Sequence, residues 1–376
     1  MCRLDLVDEL LSIRGRNMGQ NRNWKAQLSA IIREHNDSHA VRDKEVSHST
    51  RHARRQGLFR SFTLLRKMGF HLEPRNLGPK HICALMAYWT ARAPAQAELA
   101  RSLNMAGWPT TPYSAAYIQQ QLSFLRVFAA WVDKPGLVGC ALDYVKDAAL
   151  VRRSYCVKAD KSWAANGVDV MVMTQRVKEI DRYVAVQLQV MMAFGLRRKE
   201  AVMFSPRNAE VPAHAMPASH VPGERYVSFL RVKRGTKGGR LRYTAVRTDE
   251  QRAALVAARR LARGKPGHIG RPGLTLKQSL DLFSNVVRQV GLTKKELGVT
   301  PHGLRHQFAN DLYFDIAGLN SPVQGGEMLV DRSAMLQAYR QVARQLGHNR
   351  PQISNAYLGS PRLAKHLKPV GEGSPS

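Results

Sequence analysis

The chain has 376 residues, with 58 Lys+Arg against 28 Asp+Glu, a formal charge of +30 and 44% hydrophobic residues. That length makes two domains the default expectation, and that hydrophobic share excludes a broadly disordered chain. The charge excess points to a polyanionic partner, because each neutralised phosphate releases condensed counterions.

Basic residues run through the whole length, as in Arg51–Arg55, Arg231–Arg242 and Arg259–Arg263, so no detachable basic tail accounts for them. Cys2, Cys83, Cys140 and Cys156 form no CxxC pair and no metal-ligand spacing, and read as reduced thiols. The opening MCRLDLVDELL carries acids inside its apolar run, unlike a signal peptide. No apolar run is long enough for a membrane span, and the expected localisation is cytoplasmic and nucleoid-associated.

In chain order, residues 1–20 read as a loosely attached extension and 21–140 as a helical domain. Trp24, Leu28, Ile31 and Ile32 share a helical face. A second helix is predicted over His52–Met68, and a third over His81–Arg92, opened by Pro79. A fourth is predicted from Thr111-Pro112, as N-cap and first helical position, to the stop at Pro135-Gly136. Residues 141–168 lose periodicity and read as a linker.

Residues 169–367 mix types. Met171–Phe204 reads as helix broken near Gly195. Tyr226–Lys233 and Arg240–Val246 read as strands joined by the Gly-rich RGTKGG hairpin. Thr248 with Gln251 forms a capping box. Further helices are predicted from Thr275, Thr300-Pro301, Ser333 and Pro351. Residues 368–376 read as a disordered tail. The fold class is mixed α/β (α+β) and mostly helical: an all-α N-terminal domain, then helices around a small antiparallel sheet.

Six residues stand out in order: Arg197 in FGLRRKEA, Lys237 in GTKGGRLR, His302 and Arg305 in TPHGLRH, His348 in QLGH and Tyr357 in ISNAYL. Each alone has a bland reading, as a solvated arginine, a loop lysine or a packed tyrosine. Together they supply what phosphoryl transfer needs. His302 and Arg305 fall three apart in the first turns of a helix whose N-terminus already attracts an anion. Arg197 from another helix clamps the same phosphate. Tyr357 is the candidate nucleophile, and Lys237 on its hairpin a candidate acid for the leaving oxygen. His302 and His348 donate to the phosphate or manage the tyrosine proton. No acidic pair with metal-binding spacing accompanies them, so neither metal nor cofactor is expected.

These boxes resemble those of the tyrosine recombinase (phage integrase) family. GLRRKEA is similar to its first arginine box, TKGG to its hairpin lysine, TPHGLRHQFA to its H-x-x-R box, and LGH followed by Tyr357 to its closing box. The resemblance covers roughly residues 165–365, with the first half resembling the family's core-binding domain mainly through LSFLRVFAAWV. It implies Arg197, Lys237, His302, Arg305, His348 and Tyr357 as the catalytic set and Glu200 as a structural partner. It also implies a core-binding domain and a catalytic domain that clamp double-stranded DNA, a homo-tetramer on two DNA sites, a phosphotyrosyl intermediate and a Holliday junction. Accessory DNA-bending proteins are further partners it allows, and Leu358–Leu367 is a segment for packing on a neighbouring protomer. Two features depart from the family: Arg198 beside Arg197, and the long stretch LNSPVQGGEMLVDR between Arg305 and His348. Tyr339 is the rival nucleophile and reads as core. A catalytically idle DNA-binding regulator and a type IB-like topoisomerase remain the alternative functions.

Overall fold

The computed structural model describes residues 23–38, 45–91, 111–217, 226–262, 267–326 and 331–360. The expected extension (1–20), the expected tail (368–376) and most of Leu358–Leu367 lie outside them. The chain divides into two compact units, Met1–Ser154 and Tyr155–Ser376. The division falls within 141–168, where Val151 packs into the first core and Trp163 and Val168 into the second. Among the described residues no helix is long and apolar enough to cross a membrane.

In the first unit the described helices are α1 (Trp24–His35), α2 (His48–Lys67), α3 (Pro79–Thr90) and α4 (Ala115–Trp131). Each buries the face that its apolar spacing marks, with Leu28, Leu58, Phe62, Leu85, Leu122, Leu125 and Phe128 in one core. Phe62 meets Phe128 edge-on at 5.3 Å between centroids. Ser47 caps α2 by accepting from Thr50 N–H. The cap of α4 is Ser114, which accepts from Tyr117 N–H, and not Thr111. A hydroxyl three residues before that free N–H satisfies it, and Thr111 lies too far upstream. Cys140 and Cys156 are not disulfide-bonded, whereas Cys83 is in a disulfide, which corrects the expectation of a reduced thiol at that position.

The second unit contains α5 (Val170–Ile180), α6 (Arg182–Phe194), α7 (Arg198–Val202), α8 (Asp249–Leu261), α9 (Leu276–Gln289), α10 (Gly303–Ala317), α11 (Arg332–Gln345) and α12 (Asn355–Leu358). Its sheet is antiparallel in the order β1 (Glu210–Pro212), β2 (Ser228–Val232), β3 (Arg242–Val246), with Phe229 opposite Ala245 and Glu210 opposite Leu230. The class is therefore mostly helical with a small antiparallel sheet. α6 is the hub, packed on α5, α8 and α10. Its Leu188, Met191 and Phe194 are buried in the larger of the unit's cores.

Several local expectations differ from what is observed. The helix predicted from Met171 breaks first at Asp181, whose carboxylate accepts from the N–H groups of Tyr183 and Val184 and so starts a new helix. β1 carries no pattern long enough to signal a strand. α10 begins at Gly303, with Thr300 and Pro301 in a preceding turn whose carbonyls accept from Gly303 and Leu304. The Pro351 segment is a short 3₁₀ turn to Ser354 that leads into α12.

α2 and α4 approach closely at Gly57, where an added Cβ would lie 2.4 Å from Phe124 Cδ2 and 2.9 Å from Gln121 Oε1. Overpacking there forces the helices apart, at a cost of about 1–3 kcal/mol. Gly57→Ala should lower the unfolding midpoint of the first unit in a thermal melt read by domain-resolved proteolysis. The Tyr155–Ser376 unit should melt as before. An unchanged first transition would mean that the helices separate without cost.

Candidate active site

Three chain reversals in the second unit bring distant residues together. The first follows α6: Gly195 takes the left-handed conformation that caps the helix, and Arg197 then opens α7 as its extended N-cap. The Glu200 carboxylate folds back to accept from Arg197 N–H at 2.9 Å and from Arg197 Nη1 at 2.6 Å. The second precedes α10. Trp163, fully buried, donates from Nε1 to Thr300 O at 2.8 Å. Gly303 lies so close to this ring that an added Cβ would stand 2.6 Å from Lys161 O and 2.8 Å from Trp163 Cδ1. This contact sets the start of α10, leaving His302 at its N-cap and Arg305 in its first turn. The third follows α11, where Gly347 at φ 75° lets His348 N–H reach back to Ala343 O at 2.8 Å.

Tyr357 rides on the last short helix, α12. Ser354 Oγ donates to Tyr339 O at 2.9 Å, and Val157 N–H donates to Asn355 O at 2.9 Å, tying that segment down on both sides. The tyrosine is almost wholly buried, packed in a core of Phe308, Leu312, Tyr339 and Leu346.

Around its hydroxyl the pieces meet. Arg305 Nε donates to Tyr357 Oη at 3.1 Å. The remaining nitrogens of Arg305 donate to Gly195 O and to Leu346 O, so two of the three reversals share one guanidinium. Arg197 Nη2 and Arg305 Nη2 lie 3.3 Å and 3.4 Å from His348 Nε2. Guanidinium nitrogens are only donors, so Nε2 is the acceptor and the imidazole proton sits on Nδ1. The rings of His302 and His348 stand 6.3 Å and 6.0 Å from that of Tyr357. Five of the six residues singled out in the sequence thus surround one point. Lys237 does not join them: it occupies an exposed turn of the β2–β3 hairpin. Its charge still reaches His348, as one of the cations that disfavour protonation there.

The electrostatics follow from burial. Glu200 and Arg305 are wholly buried, and Arg242 nearly so. Desolvation opposes the Glu200 charge, but Arg242, Arg305 and Arg197 outweigh it and hold the carboxyl at about 2. Arg242 Nη2 and Glu200 Oε2 are 2.9 Å apart, and Arg305 Nη1 is 3.9 Å from the same oxygen. Burial lowers Arg305 to about 10, still charged at neutral pH. Burial first, then Arg305 and Arg197, push His302 down to about 4 and His348 to about 3. Both imidazoles are therefore neutral at pH 7. Three guanidiniums against one carboxylate leave two positive charges uncompensated in a buried site.

Two side chains of this cluster escaped the sequence reading. Arg242, at the start of β3, donates to Thr244 Oγ1, Gln345 O and Gly195 O as well as to Glu200. Its signal was the strand's alternation, which puts it on the same buried face as Thr244 and Val246. His306 is the second histidine of TPHGLRH. Its ring is 4.9 Å from that of Tyr357, and its buried Nδ1 has no hydrogen-bond partner. Burial, then His302, Lys161 and Arg305, lower it to about 3. Its position one residue beyond Arg305 was the available clue. Arg198 points elsewhere, donating to Ser284 Oγ at 2.6 Å. Tyr339 donates its hydroxyl to Gly359 O at 3.0 Å, and burial raises its pKa.

No curated protein matches the chain. Among solved structures it is similar to a lambda integrase dimer bound to a COC′ core site, at 13% identity over 94% of this chain and 98% of that one, with a TM-score of 0.49. It is also similar to the Tn1549 transposon integrase in complex with circular intermediate DNA, at 12% identity over 92% and 99%, with a TM-score of 0.41. The family model for integrase matches residues 155–311, a span that contains Arg197, Lys237, His302 and Arg305 and stops short of His348 and Tyr357. Through that segment, less than half of the chain, the second unit is similar to the integrase family.

Proposed function

We propose that the protein is a site-specific DNA recombinase that cuts and rejoins DNA through a covalent bond to Tyr357, in the integration or excision of a mobile element. The observation that carries this reading is the phenol of Tyr357 held by Arg305 inside a buried site with two surplus positive charges. A phosphodiester carries one negative charge, and the transition state of its displacement concentrates more on the equatorial oxygens. Fixed, desolvated cations stabilise that gain most.

Arg197 and Arg305 seat the scissile phosphate. Tyr357 passes its phenolic proton to a neighbouring neutral imidazole, His302 or His348, as Oη attacks phosphorus; the Oη–P bond forms and the bond to the 5′ oxygen breaks, leaving a 3′-phosphotyrosine. Lys237 delivers a proton to the departing 5′ oxygen once its hairpin closes on the DNA. Neutral His302 offers an N–H donor to the phosphate without adding charge, and His348, whose Nε2 accepts from Arg197 and Arg305, orients those two guanidiniums. Religation is the reverse step with a new 5′ hydroxyl, so the bond energy is conserved and no cofactor is required. Two such exchanges in a tetramer on two DNA sites pass through a Holliday junction, with accessory DNA-bending proteins as further partners. The first unit closes the grip on the duplex as the core-binding domain (21–140), joined by the linker (141–168) to the catalytic domain (169–367).

The deciding test uses attachment-site DNA nicked just past the scissile phosphate, so that the cut fragment diffuses away. Wild-type protein should accumulate a covalent adduct on a denaturing gel with chelator present and without ATP, and Tyr357→Phe should form none. An adduct surviving in Tyr357→Phe moves the nucleophile, with Tyr339 next. Tight binding with no adduct leaves an idle DNA-binding regulator. Supercoil relaxation without strand joining indicates a topoisomerase.

Glu200→Ala should destabilise the second unit by about 3–5 kcal/mol, since it strands Arg242 and Arg305 as buried, unneutralised cations. Glu200→Gln should cost less, because its amide oxygen still accepts while the charge is lost. Denaturant unfolding measures both, and wild-type stability in both variants would refute the neutralising role.

A pH dependence follows from the depressed histidines. Between about pH 6.5 and pH 4 the unfolded chain takes up protons on His302, His306 and His348 that the folded chain refuses. Stability is therefore fully present above that window and lost as pH falls through it. Glu200, held at about 2, extends the loss below pH 4.5. The unfolding midpoint of DNA-free protein should fall between pH 7 and pH 4.5, and less so in His302→Gln/His348→Gln. Parallel curves would show that these rings carry no linkage.

A further inference from the structure

Apart from the tyrosine site, the second unit holds a cavity of about 270 Å³ between the loop that follows α7 and the outer end of β2. Its floor is apolar and buried, formed by Phe204, Ala209 and Val232. Its charged lining is wholly cationic: Arg207, Arg231, Lys233 and Arg234, with no carboxylate among the lining residues. The nearest acid in sequence, Glu210, is engaged elsewhere by Arg259, Arg252 and Ser228.

Three of these cations are held in place by the wall itself. Arg207 Nη2 donates to Ala262 O at 3.2 Å, Arg231 Nη2 to Asn208 O at 3.4 Å, and Arg234 Nη1 to Ser205 Oγ at 3.2 Å. Guanidiniums already held in place bind an oxyanion with less ordering cost than free side chains. Arg207, Arg231 and Lys233 around one dent repel each other, and an anion among them relieves that repulsion.

Position gives the cavity its meaning. Residues 231–234 run directly into Gly235, Lys237 and the hairpin turn. Gly235 lies flat on the backbone of α7, where an added Cβ would be 2.6 Å from Lys199 O and 3.0 Å from Glu200 Cα. The root of the hairpin is thus clasped between the α7 backbone and this cationic cavity. An anion in the cavity fixes the strand end from which Lys237 projects.

We propose that this cavity is a phosphate-ester seat for a backbone phosphodiester of the bound DNA, distinct from the scissile one, and that filling it positions the Lys237 hairpin. The proposal rests on the recombinase reading for its DNA, and the shared chemistry is that of any phosphate ester. The source is the DNA backbone, since the rim is open to solvent through exposed Arg207, Arg231, Lys233 and Arg234. Arg207 and Arg231 act on the reaction only through Lys237 and are positioning residues.

The test is a phosphate-neutralisation scan with full-length protein. Each backbone phosphate of the site is replaced in turn by an uncharged methylphosphonate, and binding is measured for wild type, Arg207→Gln, Arg231→Gln and the double variant. The expected result is one non-scissile position whose neutralisation weakens wild type about tenfold yet leaves the double variant unchanged. The slope of log affinity against log salt should fall by about one in the double variant. Adduct formation at saturating DNA should also slow in the double variant, and a DNA whose 5′ leaving group needs no protonation should restore it. A merely structural role would not be rescued in this way. If every phosphate costs the variants as much as wild type, the seat is refuted. If inorganic phosphate or ATP binds DNA-free wild type at micromolar level and is lost in the variants, while no backbone position couples, the ligand is a free phosphate ester and the DNA assignment falls. Failure of the recombinase reading looks different: wild type forms no Tyr357 adduct, whereas the phosphate scan still reads binding.

Discussion

The second unit depends on one buried carboxylate. Glu200 accepts from Arg197 backbone and side chain, pairs with Arg242 at 2.9 Å, and faces Arg305 at 3.9 Å. Without it, guanidiniums from three separate elements would share a dry space, and each would cost several kcal/mol to desolvate. With it, those elements are drawn to one point: the N-terminus of α7, the start of β3 and the first turn of α10. An ion network of this kind contributes little net stability compared with an apolar core of the same size. On the proposed function, its surplus positive charge serves a phosphate.

Placement of Tyr357 extends the same logic. Its ring belongs to the core made by α10, α11 and α12, with the Arg305 guanidinium 5.6 Å from the ring centroid, and its hydroxyl accepts from Arg305 Nε. A side chain fixed by packing along its ring has few ways to misplace its oxygen, and a nucleophile benefits from that restriction. Arg305 accepts the opposite burden. It is wholly buried and spends its other nitrogens on Gly195 O and Leu346 O. The residue that contacts the phenol therefore also joins the α6 reversal to the α11 reversal.

Much of this was legible in the sequence because it rests on local rules. The Thr248–Gln251 capping box, the Thr275 cap and the hairpin around RGTKGG depend on contacts within a few residues, and they stand where their residues point. Arg197, His302, Arg305, His348 and Tyr357 were legible as a set, through ordered boxes of unusual composition. What the boxes could not show is mutual distance, which tertiary packing alone decides. Arg242 was missed because a basic residue in a basic chain reads as solvated; only the alternation with Thr244 and Val246 argues otherwise. The start of α10 was misplaced for a related reason. Thr300 and Pro301 satisfy the local rule for a helix opening, but Trp163, 137 positions upstream, takes the Thr300 carbonyl and fixes the turn.

The surplus charge of the site acts on its histidines, while Lys237 stands apart. A site with two surplus guanidinium charges cannot also protonate imidazoles within reach of them, and His302 and His348 are accordingly pushed to about 4 and 3. On the proposed function, neither neutral ring can supply the acid for a leaving oxygen at pH 7. Lys237 stays outside that cluster, exposed on a hairpin whose root is clasped against α7. On the proposed function, a phosphate that compensates the arginines also makes the arrival of a further cation favourable, so that substrate binding would complete the site.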